Sequence, residues 1–564
     1  MLHTFRALIA ACAAFAAAGF APADRFDLTL TPLVSGGALG AIQVDLAFRG
    51  DADGQTDLRL PGSWGGQDEL WRSIEGLEAV SGAVLQPPGE DPSARTLTHA
   101  PNARIQLRYR IVQDFSGPPA PVATGNPYRA IVQPGYFHII GETVLVAPGH
   151  LDQRTPVRFR VRNLPRGWSF ASDLQHPGLV FANIWSSVAV GGDYRLRWGG
   201  DRNIRVAIRG DWSFSDAAFT TQVTEIIAGH RRFWGDRSTP YLVTVTQIYA
   251  DNPGVSSIGG AGLSDAFAFF ATPNAQLGVI TRTLAHESMH TWVPERLGAM
   301  PQGAEEPADY WFSEGFTDFY TGRALVREGV WTPTQFAQDF NEMLAGYAQS
   351  PVATAPNARV VADFWNSRDV QRLPYQRGRM LATLWDQRLR ASGRGMDEVM
   401  REIRRRVEAG DTRRARDIFF DVIAAAGVDA APDFTRYESE GEILLLPSDL
   451  FAPCGRIETG EAWRFHRGFD IEATEANNRV ITGVVRTSPA YAAGLRDGMV
   501  LIRREAGEIG NADVEIAYVV RDGESERTIR YMPRSGDRYT RQRLVLEADL
   551  SGEILAQCRT ALAG

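Results

Sequence analysis

The run His286-Glu287-Ser288-Met289-His290 sets two imidazoles four residues apart. On a helix such residues share a face, so both can reach a single metal ion. Glu287 lies about 100° further round. From beside the ion, its carboxylate can hold a water and take its proton. With 9 His in 564 residues, chance supplies only ~0.01 such motifs. A catalytic zinc needs a third protein ligand and an open position. The segment Trp311-Phe312-Ser313-Glu314-Gly315-Phe316-Thr317-Asp318-Phe319-Tyr320 offers Glu314, 24 residues after His290. Its apolar neighbours predict a largely buried helix, and a metal ion is a strong reason to bury a carboxylate. Asp318, one helical turn further on, is placed to support a ligand imidazole.

These residues need a scaffold, and the chain is long enough for several cores. Residues 24–180 carry alternating apolar runs, such as Ala41 to Phe48 and Ile105 to Val112, separated by Gly, Pro and Asp clusters. That pattern predicts a β-sandwich-like domain. Residues 181–446 add strands such as Tyr241 to Thr246, a helix over Asp216 to Trp234, and helices from Leu277 to about Ala426. The cluster Arg401 to Arg406 reads as a solvated helix face. A break near Pro447 and Pro453 opens a third unit, 447–564, with short strands and a β run over Glu526 to Met532. The fold class expected is therefore multidomain α+β.

Residues 1–23 read as an export signal. Arg6 precedes an apolar, Ala-rich stretch from Ala7, and Ala21-Pro22-Ala23 is a cleavage pattern before Asp24. No later stretch is apolar enough to span a bilayer. The expected location is periplasmic or secreted. In an oxidising compartment the two remaining cysteines, Cys454 and Cys558, are candidates to pair. Apolar residues at 44%, charged residues at 22% and a net charge of -8 fit an ordinary globular protein. The acidic balance argues against a nucleic-acid partner.

The motifs resemble those of the glycyl aminopeptidases, gluzincin zinc peptidases. The resemblance rests on His286-Glu287-x-x-His290, on Trp311 to Thr317, and on Leu373-Pro374-Tyr375-Gln376-Arg377-Gly378 before a long helix. It implies an N-terminal β domain, a thermolysin-like, mostly helical catalytic domain and a C-terminal PDZ-like domain. It further implies one zinc per chain on His286, His290 and Glu314, with Glu287 as general base and peptides or proteins as substrates. Tyr375 would stabilise the oxyanion, for which a phenol is a good donor. One departure stands out. Where the family has Gly-Gly-x-Glu-His, this chain has Gly259-Gly260-Ala261-Gly262-Leu263. The glycines suit an edge strand to which a peptide can pair, but the amine-binding Glu is replaced by Gly262. Asp265 is the nearest candidate to restore the charge. The choice between endo- and aminopeptidase action is left open.

Ser488-Pro489-Ala490-Tyr491-Ala492-Ala493-Gly494-Leu495 resembles a PDZ segment, with Met499 where Asp is usual and Arg467-Gly468-Phe469 as the nearest carboxylate loop. A chain-end ligand is the partner this implies. The competing expectation is a non-catalytic periplasmic binding or scaffold protein on a retained peptidase fold. The intact ligand set and base favour the enzyme.

Overall fold

The computed structural model describes residues 25–564 apart from 201, 237, 238 and 302. The export segment expected at residues 1–23 lies outside the described residues.

The alternating N-terminal runs form strands because each buries one face. Phe26, Leu28 and Leu30 of Phe26–Ser35 face the same core as Ile42, Val44, Leu46 and Phe48 of Ala38–Arg49. Together with Val157–Val161, Arg104–Ile111 and Ile74–Ser81 they make a five-stranded sheet. A four-stranded sheet pairs Ala147–Pro148, Gln55–Arg59, Ala94–His99 and Ala83–Leu85, in that order. A third sheet pairs Ser169–Ser172, Val188–Gly192, Tyr136–Ile140 and Ile131–Gln133. This third sheet crosses residue 180, the expected boundary. Its Ile131, Tyr136, Val188 and Val190 share a core with Ala207, Leu242 and Phe270. The β domain therefore continues to about residue 192 and is packed directly onto the sheet that contains Ala207, Leu242 and Phe270.

That sheet runs Arg195–Gly199, Ile204–Arg209, Tyr241–Gln247, Ala266–Ala271, Ile258–Gly262. Its three central strands are parallel, and the last strand, antiparallel, is an edge. Helix α1, Asp216–Trp234, makes the crossover between two of the parallel strands. Ser215 caps it by accepting from the Ala218 amide, and Gly235 ends it at φ 70. The other long helices of this unit are α2 (Leu277–Met289), α3 (Tyr310–Arg327), α4 (Pro333–Gln349), α5 (Arg368–Ala391), α6 (Met396–Glu408) and α7 (Ala415–Ala425). Contrary to expectation, Leu373 to Gly378 does not precede a long helix but lies inside α5. Ser367 caps α5 by accepting from the Val370 amide, so the helix starts nearly two turns before Pro374. The proline lacks only the bond its N–H would have made to Val370.

The C-terminal break also differs from expectation. Leu444, Leu446, Leu450, Phe451, Cys454 and Ile457 belong to the core of the helical unit. Strand Gly455–Phe465 leaves it, and strand Arg534–Leu546 returns antiparallel alongside. Between them a smaller unit, with strands Val500–Ala506, Ile516–Asp522 and Ser525–Tyr531, has its own core around Phe469, Ile481, Leu495 and Val520. Helix α8, Gly552–Ala563, then packs back beside α3, with the Arg327 guanidinium donating to the Ala563 carbonyl. A disulfide joins Cys454 to Cys558, with Cα atoms 4.6 Å apart. The separate C-terminal core thus covers about residues 465–531, held at both ends by the larger one. No described helix is long and apolar enough to cross a membrane.

Candidate metal centre and active site

Helices α2 and α3 bring the singled-out residues together. In α2 the apolar residues Ile280, Leu284 and Ala285 turn to the sheet core. His286 and Glu287 are carried on its last turn, and His290 caps it. In α3 nearly every position is buried, and Glu314 emerges between Trp311, Phe312 and Phe316. One nitrogen of His286, one of His290 and one Glu314 oxygen lie within 4.8 Å of one another. Both Nε2 atoms point at the same carboxylate oxygen, at 3.2 Å from His286 and 3.4 Å from His290.

The far side of each ring is fixed. His286 Nδ1 donates to Asp318 Oδ1 at 2.8 Å, and His290 Nδ1 donates to the Val293 carbonyl at 2.8 Å. With Nδ1 engaged as donor, it is Nε2 of each ring that is turned to the Glu314 carboxylate and available to a metal ion. The donor set therefore fits a divalent ion of zinc's preferences, two imidazoles and a carboxylate with room for a further ligand. Asp318 is itself braced by Arg282 at 3.1 Å, which also donates to Asp339 at 2.6 Å. Arg379 closes the chain on Asp339 at 2.7 Å. Burial alone would raise the Asp318 carboxyl, but Arg282 and the His286 hydrogen bond hold it well below the usual carboxylate range.

Glu287 lines a cleft of about 750 Å³ with Gly262, His290, Glu306, Tyr310 and Glu314. Burial pushes its carboxyl up, the histidines pull it down, and Glu314 and Asp318 push it up again, with a net rise. Tyr375 stands over the centre from α5. Its ring lies 5.8 Å from that of His286, nearly parallel. Burial, then the charges of Glu314 and Glu287, hold this phenol protonated, well above its ordinary range. A proton-bearing hydroxyl here can donate to a developing oxyanion.

The edge strand Ile258–Gly262 runs past the same place. A Cβ on Gly262 would sit 3.8 Å from Glu287 Oε2. Gly259 and Gly260 are not open in the same way. A Cβ at Gly259 would meet the Tyr128 hydroxyl at 2.8 Å, and one at Gly260 would meet the Phe267 ring at 2.4 Å. These two glycines let the strand lie close against its neighbours, whereas Gly262 leaves space at the base. Asp265 does not line the cleft. Burial raises its carboxyl, and the charges of His176, Arg296 and Arg231 oppose that rise.

Sequence reasoning did not find Arg282, Asp339 and Arg379, nor Tyr128 of the β domain. The Tyr128 hydroxyl donates to the Gly260 carbonyl at 3.4 Å, and it is pushed up to about 12 by burial and by Glu287. Arg282, one turn before His286 on α2, was the only one with a spacing signal.

Residues 280–373 match the model of the M61 glycyl aminopeptidase family. That span holds both histidines, Glu287, Glu314 and Asp318, and stops two residues short of Tyr375. A search among curated proteins found no match. Among solved structures, an aminopeptidase N family protein from Idiomarina loihiensis is similar at a TM-score of 0.66 and 13% identity. The alignment covers 95% of this chain and 100% of that one, so the two share the multidomain α+β fold. An M1 zinc metallopeptidase from Deinococcus radiodurans aligns over 75% of this chain and 94% of its own, at a TM-score of 0.45 and 13% identity.

Proposed function

We propose that this protein is an exported zinc peptidase that hydrolyses peptide bonds, aminopeptidase-like in layout but altered in how it meets a substrate's amine. One observation carries the reading. His286, His290 and Glu314 converge within 4.8 Å, with Glu287 beside them in an open cleft. A zinc ion held by these three residues would polarise the scissile carbonyl and acidify a water. Glu287 takes the proton of the attacking water. Its raised carboxyl is a base strong enough to do so and then an acid able to pass the proton to the leaving nitrogen. The Tyr375 hydroxyl donates to the oxyanion of the tetrahedral intermediate. Asp318 and the Val293 carbonyl keep the imidazoles in the ligating tautomer. The edge strand Ile258–Gly262 offers backbone groups along which a peptide can lie extended. The unit at about 465–531 is read as the PDZ-like region, with Arg467-Gly468-Phe469 as its carboxylate loop and a chain end as its ligand.

The test pairs metal content with turnover. Purified protein should hold one zinc per chain, lose peptidase activity to a chelator and regain it on zinc addition. Glu287→Gln keeps side-chain size and removes the base. It should retain the zinc while kcat falls by roughly 10²–10⁴. Full activity in that variant would overturn the mechanism.

A further inference from the structure

A second cavity, of about 650 Å³, opens beside the centre. It shares no lining residue with the Glu287 cleft, and it reaches the centre through Asp318 and Tyr375. The two cavities differ in the charges they leave unmatched. The first carries Glu287, Glu295, Glu306 and Glu314, and its Arg296 is committed to Asp236 at 2.6 Å. In the second, Arg282 is occupied by Asp318 and Asp339. Arg368, Arg372 and Glu342 also line it, all three exposed, and among the described residues none of them makes an ion pair, so two guanidinium groups stand against one carboxylate. Phe364 and Met343 form its apolar lining, and Trp365 stands at 63% exposure beside them. An indole left so open next to a cavity is a ready contact for a ligand.

We propose that this cavity takes the carboxyl-terminal side of a bound peptide and reads a carboxylate there through Arg368 and Arg372. The inference rests on the peptidase reading for its substrate class. A peptide carries opposite charges at its two ends. The acidic cleft at Gly262 favours the amino side, so the carboxyl side falls past Tyr375. Arg368, Arg372, Tyr375 and Gln376 recur at helical spacing on one face of α5. With 1.5 Å of rise per residue, Arg372 stands about 4.5 Å and Arg368 about 10 Å along the axis from Tyr375. An extended peptide advances about 3.3 Å per residue. The two guanidinium groups therefore address a carboxylate roughly one to three residues beyond the scissile bond. Their planar forks match a carboxylate with two parallel hydrogen bonds. That carboxylate is either the chain terminus of a short peptide or an acidic side chain.

The experiment uses one peptide that the zinc-loaded protein cleaves, made in three forms with two residues after the cleaved bond. One has a free terminal carboxylate, one is amidated, and one is amidated with Asp in place of Asn at the second position. The free acid, the Asp form or both should exceed the neutral amide in kcat/KM by roughly tenfold, chiefly through KM. The form that does so identifies the source of the carboxylate. In Arg368→Met/Arg372→Met the ratio should collapse toward one. The same peptides are titrated calorimetrically into Glu287→Gln and into its Arg368→Met/Arg372→Met derivative. Equal kcat/KM for all three forms in the wild type, or a preference that survives the double substitution, would overturn the proposal. If no peptide is cleaved, the peptidase reading fails. Calorimetry then decides the cavity alone, since carboxylate-dependent binding that needs both arginines sustains it and equal binding of acid and amide refutes it.

Discussion

At the scale of single residues, Gly262 is the position with the sharpest consequence. Aminopeptidases select a free amine by pairing its ammonium with buried carboxylates, and an ammonium buried without one is costly. Gly262 supplies no charge, and the space its Cβ would fill ends 3.8 Å from Glu287 Oε2. Asp265 does not replace it, because it is not among the residues that line the cleft. The remaining acids of the cleft set a general negative field without a fixed partner for the amine. A blocked amine should therefore be tolerated. We expect N-acetylated peptides to be cleaved within about tenfold of their free-amine forms, about 1.4 kcal/mol in the transition state. Gly262→Glu should shift preference toward free amines. The measurement is kcat/KM on matched acetylated and free pairs. A wild-type preference for the free amine above roughly a hundredfold would refute this reading of the strand.

At the scale of elements, two glycines explain why Glu314 and Tyr375 meet. Helices α3 and α5 cross almost backbone to backbone. A Cβ on Gly315 would stand 2.5 Å from the Gly378 Cα, and one on Gly378 would stand 2.0 Å from the Trp311 carbonyl oxygen. Gly315 comes directly after Glu314, and Gly378 lies one turn beyond Tyr375, so this contact fixes the separation of ligand and phenol. A buried ion pair of α3 with α5, Arg323 to Asp386 at 2.8 Å, locks the same crossing nearer the C-terminal ends. Gly378→Ala must push the helices apart. Overpacking of this kind costs roughly 1–3 kcal/mol. Activity should fall at least tenfold, since displacements of an ångström at a catalytic group are felt strongly. Thermal unfolding and kcat together check this, and a variant with wild-type turnover would show that the crossing does not position Tyr375. The motif spacing alone indicated that these segments mattered. It did not reveal that their glycines touch, because helix–helix approach is a property of the packed pair and has no local pattern.

At the scale of the whole molecule, the parts readable from the sequence were those with a local signature. Period-two alternation marked Ala41 to Phe48 and Ile105 to Val112, which lie in Ala38–Arg49 and about Arg104–Ile111, and apolar residues at helical spacing marked Asp216–Trp234. Boundaries were less legible. Residues 131–192 pair into one sheet across the expected division, and residues 444–457 and 544–563 join the helical core, because long-range pairing decides both. Likewise the Arg282–Asp318–Asp339–Arg379 chain draws one residue from each of four helices, and no single stretch of sequence carries its pattern. The disulfide belongs to this level. It closes a separation of 104 residues around the C-terminal unit, worth roughly 4 kcal/mol in the chain-entropy model, and mild reduction should lower the unfolding midpoint. The junction of the β domain with the central sheet carries a pH dependence of its own. Asp173 is buried there, 7% exposed, accepting from the Val188 amide at 2.9 Å. Burial pushes its carboxyl up to about 7, with Asp265 adding to the rise and Arg205 opposing it. An unfolded chain would titrate this group near 3.8. Between these values the folded state holds a proton that the unfolded state has lost, so stability falls as pH rises through that window. At about 1.4 kcal/mol per unit the loss is on the order of 4 kcal/mol. Asp173→Asn stays neutral and keeps an oxygen for the Val188 amide. Its melting temperature relative to wild type should therefore become more favourable between pH 5 and pH 8, read by thermal denaturation at both values. A difference that does not change with pH would show that Asp173 is already ionised in the folded protein.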